Sequence, residues 1–404
     1  MYKSCGYCIA FILFFFFWGA SWGKVNSNPA QTSQGATQDA TQGATHGTPH
    51  SAQNESQGQI PITSKLQIKK ILSTSPAKRN SIKFSGPFGQ TQEVQSLATQ
   101  IANAQSLPQS WVLSRLAQAR LIPSVVQLMA PAPAPVQKNW AAYRARFIEP
   151  TRIGQGVEFW RKHEATLNQA ELEFGVPAEI IVGILGVESL YGQHMGAYPV
   201  VDALATLSLR FPKSHPRALE RQAFFQNELG IFLKEQFLHP ATKHKEVLGS
   251  YAGAIGAAQF MPSSLAKFAV DYDKDGVIDL VRSPQDAIGS IANYFKMYGW
   301  QTGAPIRFSI TLNSNAVQLE ELLAPDILPS FTASAFESRG VVLSESGKEY
   351  KGLLALIELS NGLDAKSYLA GTENFYVVTR YNWSSYYAMA VIELSEAIKA
   401  AMRD

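Results

Sequence analysis

Two spacings in this 404-residue chain could support chemistry: one carboxylate at the end of an apolar helical face, and a run of alternating aspartates. The carboxylate is Glu188. In segment 175–192, GVPAEIIVGILGVESLYG, Gly175 can close a preceding helix and Pro177 suits a first helical turn. Ile181, Ile184, Leu185 and Glu188 then recur at helical spacing, and Gly192 ends the element. A carboxyl desolvated on such a face holds its proton to higher pH and can act as a general acid. The same pattern also suits a buried glutamate satisfied by a neighbour, or a helix-end glutamate in water.

The aspartates lie in 271–286, DYDKDGVIDLVRSPQD. Asp271, Asp273 and Asp275 alternate, Gly276 allows a sharp turn, and Val277 can offer its carbonyl. This is the first half of a calcium loop built from hard oxygen ligands. The second half departs, because Arg282 stands where a bidentate glutamate belongs, and Asp286 is the natural replacement. A solvated acidic turn, with Asp286 capping its helix, is the other reading.

Two further stretches could line a site. In SYAGAIGAAQFMPSS, 250–264, small residues permit close approach of backbone or ligand, and Gln259 offers both a donor and an acceptor. A tightly packed helix pair with Gln259 as a structural cap fits equally. In NFYVVTRYNWSSYYAMA, 374–390, five Tyr and Trp side chains suit stacking on sugar faces, and suit an ordinary core as well.

The elements that must position these residues are mostly helical. Amphipathic runs are expected at 94–104, 109–119, 139–147, 156–174, 177–190 and 217–237. Asp202 suits an N-cap for 203–210, and Ser283, Pro284 and Asp286 form a helix start leading to Gly299. Runs at 306–312, 340–343, 353–359 and 375–379 read as strands of a small sheet, and 386–402 returns to helix. The fold class is thus mainly α with a small β region.

Composition sets the limits. Hydrophobic content of 46% supports a sizeable core, and a net charge of +3 is too mild to argue for nucleic acid. The N-terminus reads as an export signal over 1–23, with Lys3, an apolar run from Ile9 to Trp18, and small residues after it. Retained, this segment would anchor the chain. The two cysteines, Cys5 and Cys8, fall within it, which leaves the mature chain no disulfide or thiol nucleophile. Residues 24–90 read as a tether, low in complexity through about residue 60, and ordered structure is expected from near Thr91.

Together, ESLYG, AGAIGAAQFMPSS, DYDKDG followed by DAIGSIANYFKMYGW, and FYVVTRYN followed by YYAMAV resemble, in this order, the B-type lytic murein transglycosylases of glycoside hydrolase family 103. The resemblance runs from about Asn139 to the C-terminus. It implies a lysozyme-like helical core with additional α and β subdomains, divided as 91–150 (N-terminal helices), 151–302 (catalytic core with the calcium loop), 303–372 (small β subdomain) and 373–404 (a strand and helix completing the core). It implies cleavage of the MurNAc–GlcNAc β-1,4 bond of peptidoglycan with a 1,6-anhydro-MurNAc end. Glu188 falls on the family's acid/base. Tyr143, Ser250, Gln259, Tyr381, Asn382 and Tyr387 fall on its substrate-contacting or groove positions. Asp271, Asp273, Asp275, Val277 and Asp286 fall on its structural Ca2+ site. Ala257-Ala258 and Leu190-Tyr191 depart from the usual pairs, and one extra residue precedes Asp286.

One carboxylate suffices for such a reaction, because the muramic 6-hydroxyl supplies the nucleophile that other glycosidases take from a second acid or from water. The implied partners are peptidoglycan glycan strands and other cell-wall enzymes, in the periplasm. A lysozyme-type hydrolase and a non-catalytic glycan-binding module are the rival readings. HExxH and GxSxG are absent, which argues against a peptidase.

Overall fold

The computed structural model describes residues 82–132, 137–239, 246–313 and 317–403. The expected export segment and residues 24–81 of the expected tether lie outside them. Residues 82–90 are described and correct the tether boundary. They are laid against 119–121, with Ser85 N–H on Leu121 O at 2.9 Å and Phe88 N–H on Ala119 O at 3.0 Å. Ile82, Phe84 and Phe88 supply the apolar contacts that hold them there.

The first helices are α1 (Gln92–Gln105), α2 (Gln109–Gln118) and α3 (Pro123–Met129). Thr91 caps α1 through its hydroxyl. Next come α4 (Trp140–Arg144), α5 (Pro150–Lys162), α6 (Glu164–Phe174) and α7 (Ala178–Ser189). After β1 (Tyr198–Pro199) follow α8 (Val200–Arg210), α9 (Ala218–Leu238), β2 (Leu248–Gly249), α10 (Pro262–Phe268) and α11 (Pro284–Met297). The β-rich part holds β3 (Arg307–Leu312), α12 (Leu319–Leu323), α13 (Ala333–Ser338), β4 (Val341–Leu343), α14 (Glu345–Lys348), β5 (Ala355–Asn361) and β6 (Asp364–Gly371). The chain closes with α15 (Glu373–Tyr381) and α16 (Ser385–Ala401). Among the described residues no helix is long and apolar enough to cross a membrane.

Three apolar clusters organise these elements. One joins α1–α3 to α8 and α9 through residues such as Leu97, Leu116, Val125, Leu204 and Phe225. A second surrounds α7 and takes side chains from α4, α6, α11, α15 and α16. The third lies under the antiparallel sheet, whose strand order is β4-β3-β6-β5. Ala370 pairs with both Phe308 and Leu356, so β6 is central.

α7 is buried on every side rather than along a stripe: Ile181, Ile184 and Leu185 are fully enclosed. Each such side chain contributes about 1.5–3 kcal/mol relative to exposure. Gly183 and Gly186 let α16 approach closely. A Cβ at Gly183 would lie 2.9 Å from Val391 O, and one at Gly186 2.9 Å from a Leu394 methyl. Any larger residue at 183 would therefore push α16 away. The helix starts under an N–H···O bond from Ala178 to the Glu171 carboxylate, 2.9 Å.

Several expected boundaries shift. The single helix over 156–174 is two, broken at His163 (φ −116, ψ 21). Asp202 is not an N-cap: α8 begins at Val200 after Pro199, and the buried Asp202 carboxylate instead receives the Arg120 guanidinium at 2.6 Å. The strand expected at 375–379 is helix α15. Its β-branched and aromatic run favours a strand locally, yet Thr372 caps a helix there, and Phe375, Val377 and Val378 bury helical faces. The long strand missed at the sequence level is β6, whose first four residues, Asp-Ala-Lys-Ser, are exposed and carry no large apolar side chain; the two-residue β1 and β2 were missed as well.

Candidate active site

Glu188 sits in the last turn of α7, 9% exposed. Burial raises its pKa to about 8, and a hydrogen bond from Tyr387 opposes the rise. That bond, Tyr387 hydroxyl to Glu188 Oε1, is 2.6 Å long. Among the described residues no second carboxylate influences its ionisation. A carboxyl with a pKa of about 8 keeps its proton at neutral pH, and the Tyr387 phenol holds it in place.

The chain after Glu188 is strained. Leu190, Tyr191 and Gly192 are all left-handed, with φ of 51°, 57° and 86°. Two of the three carry a Cβ, a conformation that persists only where surroundings over-determine it. Here they do. The Ser189 hydroxyl donates to Ala257 O at 2.7 Å and accepts from Gly192 N–H at 3.0 Å. The Tyr191 hydroxyl donates to Arg152 O at 2.9 Å. The Arg152 guanidinium reaches Gly186 O, placing a cation beside the carbonyl end of α7. The helix therefore ends at Ser189, three residues before the glycine expected to end it.

A layer of tyrosines surrounds Glu188. Tyr143, on α4, packs on Trp140 and Phe147 at 6.2 and 5.2 Å. Burial and the Glu188 charge push its phenol well above the usual range. Tyr381, at the end of α15, stacks on Tyr387 at 6.4 Å and donates to Ala258 O at 2.5 Å. Sequence reasoning missed Tyr294, on α11. Its ring lies 4.8 Å from Tyr381, its hydroxyl donates to Arg380 O at 2.5 Å, and the Glu188 charge contributes to its raised pKa. An aromatic on an apolar helix face reads as core, so nothing local marked it. Asn382 follows Tyr381 as the C-cap of α15 and is half-exposed.

The loop over 250–261 forms the facing wall. Gln259 is also left-handed, φ 48°. Its amide donates to Gly256 O at 2.8 Å and Met195 O at 3.2 Å, so both N–H donors are engaged and Oε1 is the end left for a ligand. The Ser250 hydroxyl accepts from Ala254 N–H at 3.0 Å and Ala252 N–H at 3.3 Å, tying the start of the loop. A buried acid missed at the sequence level, Glu228 of α9, accepts from Ser263 N–H at 2.8 Å and so holds the start of α10. The structure thus gathers Tyr143, Tyr381 and Tyr387 about Glu188, while Gln259 is held by the backbone of Met195 and Gly256, and buried Ser250 makes the turn.

The acidic loop forms a separate cluster. Carboxylate oxygens of Asp271, Asp273 and Asp286 lie within 4.8 Å of one another. Gly276 N–H donates to Asp271 at 2.8 Å, and Tyr272 and Asp279 N–H groups to the fully buried Asp286 at 2.8 and 2.7 Å. Asp275 instead accepts from Val277 N–H at 2.9 Å. Arg282 turns aside to Asp279, 3.4 Å away, so no cation of the loop neutralises the three carboxylates. An all-oxygen donor set of this charge fits a hard divalent ion.

Comparison with known proteins adds the following. Residues 89–396 match the family model described as the transglycosylase SLT domain. The chain is 35% identical over 336 residues to the membrane-bound lytic murein transglycosylase B of Escherichia coli (strain K12), covering 80% of this chain and 87% of that protein. Among solved structures, the soluble lytic transglycosylase SltB1 of Pseudomonas aeruginosa is 37% identical with a TM-score of 0.66, covering 77% of this chain and all of that one. Escherichia coli Slt35, solved with bulgecin A, is 34% identical with a TM-score of 0.67, covering 82% of this chain and all of that one. Slt35 has also been solved in complex with calcium.

Proposed function

The chain belongs to the SLT-domain transglycosylase family and is a peptidoglycan lytic transglycosylase, and from that premise we propose that Glu188 is its only acid/base group. Protonated Glu188 gives its proton to the glycosidic oxygen of GlcNAc as the bond to MurNAc C1 breaks. The MurNAc 6-hydroxyl then attacks C1 and returns a proton to the Glu188 carboxylate. No water is consumed, and the products are a free 4-hydroxyl and a 1,6-anhydro ring. The observation that carries this reading is the enclosed Glu188, its pKa raised to about 8, with the Tyr387 phenol donating to its carboxylate.

Tyr387 holds the carboxylate in place and stabilises its ionised form when the proton leaves. Tyr143, Tyr381, Asn382 and Gln259 line the glycan path, Gln259 through its Oε1, which can accept an N-acetyl N–H. Ser250 supports that wall from behind. Glu188→Gln keeps the shape and removes the acidic proton, and turnover is expected to fall on the order of 10²–10⁴-fold. Activity within a few-fold of wild type would reassign the acid.

Asp271, Asp273 and Asp286, with Asp275 and the Val277 carbonyl, would hold a calcium ion. When bound, the ion would neutralise the loop and brace α11, with no part in bond cleavage. The substrate lies in the cell envelope, as the membrane-bound relative's name agrees. Export to the periplasm through residues 1–23, with anchoring if that segment is retained, completes the reading, along with other cell-wall enzymes as partners.

A further inference from the structure

Lys267 and Arg380 share an aromatic platform beside the tyrosine layer. The Arg380 guanidinium lies 5.2 Å from the centre of the Trp383 ring, 5.3 Å from Tyr298 and 5.7 Å from Tyr376. The Lys267 ammonium lies 4.9 Å from Phe268 and 5.9 Å from the same Tyr298 ring. Lys267 is exposed, and Arg380, Tyr298, Tyr376 and Trp383 are half-exposed. Several surface arginines are neutralised: Arg120, Arg307 and Arg339 each hold a carboxylate oxygen at 2.6–2.7 Å. Among the described residues neither Lys267 nor Arg380 has such a partner. Two cations against one ring, with no carboxylate beside either, leave positive charge that an anion can neutralise.

Position says which anion. Lys267 ends α10, the helix that follows the Gln259 loop, and Arg380 directly precedes Tyr381. The Tyr298 ring lies 4.6 Å from that of Tyr294, which in turn lies 4.8 Å from Tyr381. The platform therefore adjoins the tyrosine layer and carries it outward to half-exposed rings. The Arg380 guanidinium gives one long hydrogen bond, 3.4 Å, to the Tyr376 hydroxyl, and its remaining N–H donors can meet a carboxylate while the rings pre-set its orientation. The glycan itself carries no free carboxylate where muramic lactyl groups are amide-linked to peptide, but the peptide stems do. We propose that Lys267 and Arg380, on the rings of Tyr298, Tyr376 and Trp383, form a carboxylate-binding site that takes the peptide stems of the glycan strand. This rests on the peptidoglycan reading above.

The test compares soluble glycan strands bearing intact stems with the same strands after their carboxylates are converted to amides. Binding is measured to Glu188→Gln protein, and turnover to the otherwise native enzyme. Lys267→Gln with Arg380→Gln is expected to weaken binding and raise KM about tenfold for intact strands, as for two partly exposed charge-assisted contacts. kcat is expected to stay level, and on amidated strands the variant and parent should coincide within twofold. Should the double variant fold poorly, Lys267→Glu alone, at an exposed position, is expected to give the same selective loss. An equal loss on both substrates, or no loss on either, overturns the site. Failure of the function reading looks different: the native enzyme would then release no anhydro product, while the binding comparison still decides the site.

Discussion

The Tyr387 hydroxyl and Glu188 Oε1 stand 2.6 Å apart although 199 residues separate them in the chain. α16 delivers the phenol and α7 the carboxyl, and Gly183 and Gly186 let the two helices close on each other. A phenol that donates to a carboxylate favours the ionised form, so it works against burial.

Removing that donor should therefore raise the Glu188 pKa further. A general acid loses activity as pH rises through its pKa, which puts the alkaline limb of kcat/KM near pH 8. In Tyr387→Phe the limb is expected to move up by about one pH unit, the scale of one hydrogen bond to a charge. A pH–rate profile checks this, and a limb that stays or moves down would contradict it.

The same burial has a stability consequence. Between the ordinary carboxyl value of 4.5 and about 8, the folded chain keeps a proton that the unfolded chain has released. The contribution of Glu188 to stability thus falls as pH rises across that window. Glu188→Gln is expected to stabilise the fold, little at pH 4.5 and most at pH 8, by an amount on the order of a few kcal/mol, and so to raise Tm most at pH 8. Thermal melts across that range measure it, and a pH-independent difference would count against a strongly shifted group.

Gln259 uses both amide donors on backbone carbonyls while holding a left-handed φ. Gln259→Ala should loosen the loop by about 1–2 kcal/mol, the scale of two lost hydrogen bonds, and also raise KM through loss of Oε1. Melting and steady-state kinetics on the folded fraction separate the two effects. A fall in Tm with KM unchanged would make Gln259 structural only.

For the acidic loop, an ion that binds only the folded state adds stability by mass action. EDTA is expected to lower Tm, and calcium to restore it better than magnesium, which prefers a tighter octahedral shell. Asp273→Asn with Asp275→Asn should abolish that response and leave activity at low temperature. Identical melts with and without calcium after thorough metal removal would return the loop to a solvated acidic turn.

Local signals were legible in the sequence where the physics is local. Gly175 does close α6 with φ 73°, Ser283 does cap α11, and the Asp271–Gly276 spacing does fold into a carboxylate cluster. Phe375–Thr379 was misread because β-branched propensity is a local preference that tertiary burial overrides. The end of α7 falls within one residue of the expected 190, but what fixes it was not legible, because Ser189, Ala257, Tyr191 and Arg152 are far apart in the chain. The meeting of Tyr387 with Glu188 and the part played by Tyr294 depend on helix packing that no spacing encodes. Family resemblance pointed to Tyr387 and left Tyr294 unmarked.

The most direct test of the central claim is mass spectrometry of muropeptides released from purified sacculi in water enriched in oxygen-18. Glu188 acting alone with the substrate's 6-hydroxyl predicts anhydro-muramic ends with no oxygen-18 in them, and their disappearance in Glu188→Gln. Reducing ends carrying oxygen-18 at the anomeric position would mean that water is the nucleophile and would contradict the account.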